Sequence, residues 1–309
     1  MCKMNPRVDF VFKKLLGTEE SKDILIDLIN SIVSEADRVS DIEIRNPYNE
    51  KQFFEDKKSV LDIKAYSAEG KWYNIEMQVL PEDSFAKRSL YYWSRLYTGQ
   101  LQEGAPYSLL TKTICINILN FDQLYDEPSY HNVYKVKNEK SGGELLDEFE
   151  IHFIELRKYD ETLADSLNTA LDRWVNFLKL AGIYDADSMP EKLKEGPSFQ
   201  KAMQLLERLS ATKEEREIYE DRMKWLRDVT SSLETMERRG LEEGRTQGLK
   251  EGRAEGRAEG RAEGLEMGAE KNKRDNALRM LRKGMSIADV AEFVDLPEGE
   301  VARLAEEAR

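Results

Sequence analysis

Two acidic residues, Asp62 and Glu76, lie in neighbouring segments of alternating apolar and polar residues, SVLDIKAYS (59–67) and KWYNIEMQVL (71–80). Alternation with a period of two predicts β-strands. Like charges directly opposite each other across a hairpin repel unless a cation lies between them. Paired carboxylates on rigid strands suit a hard divalent ion such as Mg²⁺, and the solvated polar face of an ordinary hairpin is the alternative interpretation.

The turn between the two strands decides whether these acids meet. A three-residue loop over residues 68–70, closed by a glycine at positive φ, puts Asp62 opposite Glu76 and Lys64 opposite Asn74. A two-residue loop would instead put the two acids on opposite faces of the sheet. With the three-residue loop, one face carries Asp62, Lys64, Tyr66, Asn74, Glu76 and Gln78.

The composition narrows the classes of function. A chain of 309 residues with 40% hydrophobic content can bury a substantial core, and its net charge of −13 argues against nonspecific nucleic-acid affinity of the whole molecule. Apolar runs such as TICINIL (113–119) are far shorter than a membrane span, so a soluble, cytoplasmic protein without membrane contact is predicted. The chain has two cysteines and two histidines. These numbers argue against a disulfide framework, a zinc site and Ser-His or Cys-His catalysis.

The order of predicted elements indicates an α/β fold. Two amphipathic helices come first, three strands able to pair antiparallel follow, and a crossover helix leads to a further strand and a strand pair. These elements are predicted at 9–17 and 19–33 (helices), 39–47, 59–67 and 71–80 (strands), 85–102 (helix), and 108–119, 133–137 and 148–156 (strands). Strongly helical, acidic sequence follows to about residue 237.

Glycine recurs every fourth residue between Gly240 and Gly268, in the form GRAEGRAEGRAEG. In a helix, eight glycines cost about 8 kcal/mol relative to alanine, so such a helix would need a partner that presses on the glycine stripe and pairs its Arg row with a Glu row. A solvated, partly disordered tether is the other interpretation. The sequence leaves both open.

The tail NALRMLRKGMSIADVAEFVDLPEGEVARLAEEA (276–308) resembles a small helix-turn-helix, with Ser286 as a helix N-cap and a turn at Leu296-Pro297. Its third helix is rich in glutamate, which would face phosphates unfavourably. Packing or oligomerisation is therefore favoured over DNA reading for the tail.

The segments DFVFKKLLG, LDIKAY, YNIEMQ, RSLYYWSRLYTGQLQEG and YSLLTKTICINIL together resemble the recombination-promoting nuclease/transposase (Rpn) family of the PD-(D/E)XK nuclease superfamily. The glycine repeat and the helical tail also resemble that family, and residues 9–120 are the most specific part. The resemblance implies a PD-(D/E)XK restriction-endonuclease-like α/β core and Mg²⁺-dependent hydrolysis of DNA phosphodiesters.

The resemblance also implies a site. Asp62 corresponds to the strand aspartate and Glu76 to the acid of the E-X-K element, with Gln78 in place of its lysine. Asp62, Glu76 and the carbonyl of Met77 would hold the metal. Asp9 matches the N-terminal acidic position of the family and would complete the shell or orient the water.

Gln78 supplies no charge, so the positive charge of the missing lysine must come from elsewhere. Lys64, on the same predicted face as Asp62, is one candidate, and a solvated strand lysine is its alternative interpretation. Cations that flank the hairpin are candidate DNA contacts, each also explicable as an ordinary surface charge: Lys13, Lys14, Lys57, Lys58, Lys87, Arg88 and Arg95.

Four segments follow from these patterns: a nuclease domain (1–160), an acidic helical extension (161–239), the glycine repeat (240–270) and the helix-turn-helix-like tail (271–309). The predicted function is a metal-dependent DNA endonuclease that acts in recombination or with mobile elements and self-associates through residues 240–309. A catalytically inactive protein that binds DNA or serves as a self-associating scaffold is the rival interpretation, and a nuclease acting on RNA is a third.

Overall fold

A mixed sheet forms the centre of the first part of the chain. Residues 3–45, 63–162, 167–184 and 188–307 are those that this computed structural model describes, and six strands among them form one sheet. The strands are β1 (Ile42–Ile44), β2 (Ile63–Ser67), β3 (Trp72–Gln78), β4 (Thr113–Leu119), β5 (His131–Tyr134) and β6 (Phe149–Glu155). They lie in the order β1-β2-β3-β4-β6-β5, with β3, β4 and β6 parallel and the other pairs antiparallel.

The helices follow the predicted order, so the predicted α/β class is confirmed. They are α1 (Asp9–Leu16), α2 (Lys22–Ile32), α3 (Phe85–Thr98), α4 (Ala170–Leu180), α5 (Glu191–Lys194), α6 (Pro197–Ala211), α7 (Lys213–Arg282), α8 (Ile287–Val294) and α9 (Glu298–Glu307). Helix α3 makes the crossover between the parallel strands β3 and β4, as the spacing predicts.

The β2–β3 hairpin has the predicted three-residue turn. Gly70 has φ +84° and donates its N–H to the carbonyl of Ser67 at 3.0 Å, while the Ser67 N–H donates to the Lys71 carbonyl at 2.9 Å. Lys64 pairs with Asn74, so the predicted register is confirmed for the described part of both strands. A glycine is favoured at Gly70 because other L-residues rarely adopt this backbone conformation.

The two faces of the sheet are covered by different helices. Alternate residues of the central strands, including Tyr73, Ile75 and Met77, lie in one large core with helices α1, α2, α4 and α6. On the other face a smaller cluster joins Phe85 of α3 to residues of β4 and β6. Since side chains alternate along a strand, the even-numbered residues of β3 are directed to the α3 side.

A buried ionic network lies at the core face of the sheet. Lys112 Nζ is 2.8 Å from Asp37 Oδ2 and 2.9 Å from Glu150 Oε2. Burial alone would raise the pKa of Asp37 and of Glu150, but the hydrogen bonds these carboxylates accept outweigh it and hold each pKa at about 2. Both carboxylates therefore stay charged throughout the neutral range.

Two stacked histidines extend this network. His152 Nε2 lies 2.7 Å from Glu150 Oε1, and its Nδ1 lies 2.9 Å from His131 Nε2. In the contact between the two rings one nitrogen donates and the other accepts, according to the tautomer of each ring. Burial and then the neighbouring His152 lower the pKa of His131 to about 4.

The lowered pKa of His131 predicts a pH-dependent stability. As the pH falls from 6.5 to about 4, the unfolded chain takes up a proton on this imidazole that the folded chain does not. The free energy of unfolding should therefore decrease over that window, and His131→Asn should flatten the slope. Urea unfolding at a series of pH values measures it. An identical slope in wild type and His131→Asn would contradict the assignment.

The glycine repeat is helical and belongs to a separate unit. Residues 1–230 and 231–309 form two compact units, and α7 continues through the repeat. A Cβ built on any of the eight repeat glycines meets no atom of the described chain within 4 Å. In the second unit α8 and α9 pack on the end of α7 through Ala277, Val290 and Val301, with Ser286 capping α8 as predicted.

The described helices include none with enough length and apolar character to cross a membrane.

Candidate active site

Glu76 is a buried acid on a central strand. Its side chain is 3% exposed, and β4 places Asn117 beside it in the parallel register. The apolar neighbours Ile75 and Met77 fill the core on the opposite face, which directs Glu76 and Gln78 towards α3. A carboxylate at this depth requires a partner, because an isolated buried charge is strongly unfavourable.

Arg88, in the first turns of α3, is that partner. Its Nη2 donates to Glu76 Oε1 at 2.7 Å and to Gln78 Oε1 at 3.0 Å, and its Nη1 pairs with Glu82. The guanidinium also lies over the Phe85 ring, 4.7 Å from its centroid. Since the Arg88 side chain is 25% exposed, the site is open to solvent on this side.

Amide side chains line the floor of the site. Asn117 Nδ2 donates to Ser89 Oγ at 2.8 Å and to the carbonyl of His152, on β6, at 3.0 Å. The side-chain oxygens of Asn74 and Asn117 are buried and accept no hydrogen bond from the described residues.

The chemical types of the oxygen atoms at this site suit a hard divalent cation. A buried carboxylate and buried amide oxygens are the ligand types that Mg²⁺ and Ca²⁺ take, and two of these oxygens lack a donor within the described chain. The described residues contain no group of three His, Cys, Asp or Glu side chains that could hold a metal. A metal here would need a second acid, and the predicted one, Asp62, lies outside the described residues.

The other predicted site residues within the described chain differ in their position relative to Glu76. Lys64 shares a face with Asn74 and Glu76, as predicted from the register. The Met77 side chain is buried in the core, so its backbone carbonyl is the group available to the site. Asp9 has its ion pair with Arg222 of α7 at 3.7 Å, and no hydrogen bond or ion pair described here joins it to Glu76. The roles of these residues stay predictions.

The predicted DNA contacts differ in accessibility. Lys13 is 8% exposed, and Lys14 lies 3.8 Å from Glu215 in an ion pair. Lys87 and Arg95 are exposed on α3, where the Arg95 guanidinium lies 5.9 Å from the centroid of the Tyr91 ring. Arg88 is engaged with the site acids, and Lys57 and Lys58 lie outside the described residues.

Sequence reasoning missed the contacts that α3 and β4 make with Glu76. Arg88 was predicted as a DNA contact, and neither Asn117 nor Ser89 was singled out. One signal was available: a buried acid on β3 needs a cation, and the crossover helix that follows must cover the same face. The choice of Arg88 among the cations of α3 depends on the rotation of that helix, which periodicity alone does not fix.

The mixed sheet with a parallel centre and the crossover helix over its buried acid form an α/β core of the kind that the sequence predicts. A family model described as PD-(D/E)XK nuclease family transposase matches residues 6–236, and the chain belongs to that family. The chain matched no curated protein and no solved structure. The resemblance read from the sequence is thereby confirmed for residues 6–236.

The contact between Glu76 and Arg88 predicts energetic coupling. Glu76→Gln and Arg88→Met should each lower the free energy of unfolding, because Arg88→Met leaves the buried Glu76 carboxylate without its cation and Glu76→Gln removes one of the two carboxylates that pair with Arg88. The double variant should lose about 1–3 kcal/mol less than the sum of the two. Urea unfolding of the four proteins measures this term.

The matched control is the exposed pair of Arg208 with Glu20, whose side chains are 59% and 55% exposed. Its coupling should stay below about 1 kcal/mol. Equal coupling in the two pairs would contradict the assignment of Arg88 as the partner that the buried Glu76 requires.

Proposed function

We propose that this protein is a divalent-metal-dependent endonuclease that hydrolyses DNA phosphodiester bonds, in keeping with the family to which it belongs. The observation that carries the proposal is a buried glutamate on a central strand, held among polar side chains on a face that is otherwise apolar. Mg²⁺ is the proposed ion, the transposase description suggests a role in DNA rearrangement, and a cytoplasmic location stays a prediction.

Each residue has a proposed part in the chemistry. Asp62, Glu76 and the Met77 carbonyl would hold the ion, with Asp9 as a further acid. A bound divalent ion lowers the pKa of its water and offsets charge on the scissile phosphate. Gln78 would hydrogen-bond that water or the phosphate, because its amide can both donate and accept. Lys64 is a candidate source of positive charge at the same face.

The DNA would lie along the outer side of α3. Lys87 and Arg95 are exposed there, and their charges would be attracted to phosphates despite the overall charge of −13. Tyr91, 55% exposed between them, offers an aromatic surface to a sugar or base. Lys57 and Lys58 are proposed as further contacts, and Lys13 and Lys14 complete the predicted set.

The test is cleavage of supercoiled plasmid DNA by wild type, Asp62→Asn and Glu76→Ala with and without Mg²⁺. Wild type should nick the plasmid only with the ion, and each variant should lose at least about 100-fold in rate because a metal ligand is removed. Arg208→Ala, which removes an exposed cation outside the site, should cleave as wild type does. Metal-independent cleavage, or full activity of both variants, would refute the proposal.

The second candidate is a catalytically inactive protein that binds DNA or acts as a self-associating scaffold. Two observations favour it: a glutamine replaces the lysine of the E-X-K element, and the Arg88 guanidinium already neutralises the Glu76 carboxylate. Such a protein would bind DNA yet leave plasmid intact with any divalent ion. Structured RNA as the substrate in the same assay tests the third interpretation, a nuclease that acts on RNA.

We also propose that two copies associate through the repeat of α7. Gly244, Gly252, Gly256 and Gly260 are each preceded by Glu and followed by Arg, and successive helical residues are about 100° apart, so an Arg row and a Glu row flank this part of the glycine stripe. In a parallel two-fold pair each Arg row faces the partner's Glu row, whereas in an antiparallel pair like charges face each other. Parallel association is therefore favoured, and close glycine contact would offset the low helix propensity.

Light scattering on the full chain tests this association. Gly256→Leu should shift the protein towards monomer while raising its helix content, because leucine blocks close approach yet is the better helix former. Changing Arg253, Arg257 and Arg261 together to Glu should abolish association, and mixing with the converse Glu-to-Arg variant should restore it. A monomeric wild type, or association unaffected by these changes, would contradict the proposal.

A further inference from the structure

We infer that Arg88 supplies the positive charge that the lysine of an E-X-K element supplies, and that Gln78 serves to position it. This inference rests on the proposed nuclease function and deepens it by naming a further catalytic residue. It assigns Arg88 to the reacting phosphate, whereas position alone in the sequence suggested a contact with the DNA backbone.

The Arg88 guanidinium lies against both polar side chains at the end of β3. Arg88 Nη2 lies within hydrogen-bond distance of both Glu76 Oε1, at 2.7 Å, and Gln78 Oε1, at 3.0 Å. A lysine at position 78 would bring its ammonium to this same face, two residues along the strand from Glu76. The charge missing from the strand is therefore present, delivered from α3.

The amide orientation of Gln78 is fixed by its hydrogen bonds. Its Nε2 donates to the carbonyl of Leu80 at 3.2 Å, which leaves Oε1 as the acceptor for Arg88. A lysine here would place a second cation against the guanidinium. Arg88 on α3 needs a hydrogen-bond acceptor at residue 78, which glutamine provides. A lysine ammonium at that position would repel the guanidinium, so the two residues depend on each other.

The guanidinium would stay in place if the Glu76 carboxylate turned to a metal. Its Nη1 pairs with Glu82, whose other oxygen accepts from Ser84 Oγ at 2.6 Å. The Phe85 and Tyr92 rings lie 4.7 and 5.9 Å from the guanidinium carbon and add cation–π attraction. Arg88 therefore has anchors besides Glu76, and its quarter-exposed side chain can meet a phosphate from the solvent side.

A metal ion and the guanidinium compete for the Glu76 carboxylate, so removal of Arg88 should strengthen metal binding while it weakens catalysis. A purely structural role would weaken both. A role as an ordinary backbone contact would raise KM for DNA and leave kcat and metal affinity unchanged.

The experiment combines metal binding with cleavage kinetics. Calorimetry with Mn²⁺ alone should give a dissociation constant several-fold lower for Arg88→Ala than for wild type. At saturating Mn²⁺ the kcat for plasmid nicking should fall by about 100-fold or more, as when one transition-state donor is removed. Arg88→Lys should retain part of the activity. Arg208→Ala, an arginine from an exposed carboxylate pair, should match wild type in both measurements.

A lysine returned to the strand gives the most specific readout. Gln78→Lys should restore cleavage when combined with Arg88→Ala and should impair it in wild type, where two cations would meet. Circular dichroism checks that each variant is folded. If Arg88→Ala does not fold, the same comparison is made with Arg88→Lys and with the double variant of Arg88→Ala and Gln78→Lys.

The outcomes separate this inference from the proposed function. Wild type that never cleaves with any divalent ion refutes the nuclease and with it the catalytic role of Arg88. Wild type that cleaves, with Arg88→Ala equal to it in kcat or with Gln78→Lys failing to rescue, overturns the inference and leaves the nuclease standing. Weaker Mn²⁺ binding in Arg88→Ala also overturns it.

Discussion

The register of the β2–β3 hairpin is the constraint on which the site depends. Because side chains alternate along a strand, a shift by one residue would move Glu76 and Gln78 into the apolar core and bring Ile75 and Met77 to α3. The turn that fixes the register ends at Gly70, in a conformation with φ +84° that a residue with a Cβ rarely adopts. The polar face of the sheet is thus set by backbone geometry at one position.

Given that register, the electrostatics of the site follow. A carboxylate that is 3% exposed must be neutralised, and α3 provides a guanidinium that reaches two strand residues and a loop acid at once. The same arrangement is compatible with the proposed metal site. The pair of Glu76 and Arg88 is stable without an ion, and Glu76 could release Arg88 when a divalent cation binds. The contact that stabilises the buried acid is thus also the one that we propose for the chemistry.

Much of this arrangement could be predicted from the sequence. Strict alternation and the glycine at residue 70 predict the hairpin and its register, and the spacing between β3 and β4 predicts the crossover helix α3. The partner of Glu76 could not be predicted, since several cations of α3 compete and a rotation of about 100° per residue decides among them. The ionic network of Lys112, Asp37 and Glu150 could not be predicted either, because it joins residues far apart in the chain.

The central claim is that Glu76 belongs to a divalent-metal site of a nuclease. Anomalous diffraction from crystals of the wild-type protein grown with Mn²⁺ tests it most directly. We expect a peak within coordination distance of a Glu76 oxygen, with the Arg88 guanidinium retained beside Gln78 and Glu82. A bound Mn²⁺ found only elsewhere on the molecule, with the contact between Glu76 and Arg88 unchanged, would contradict it.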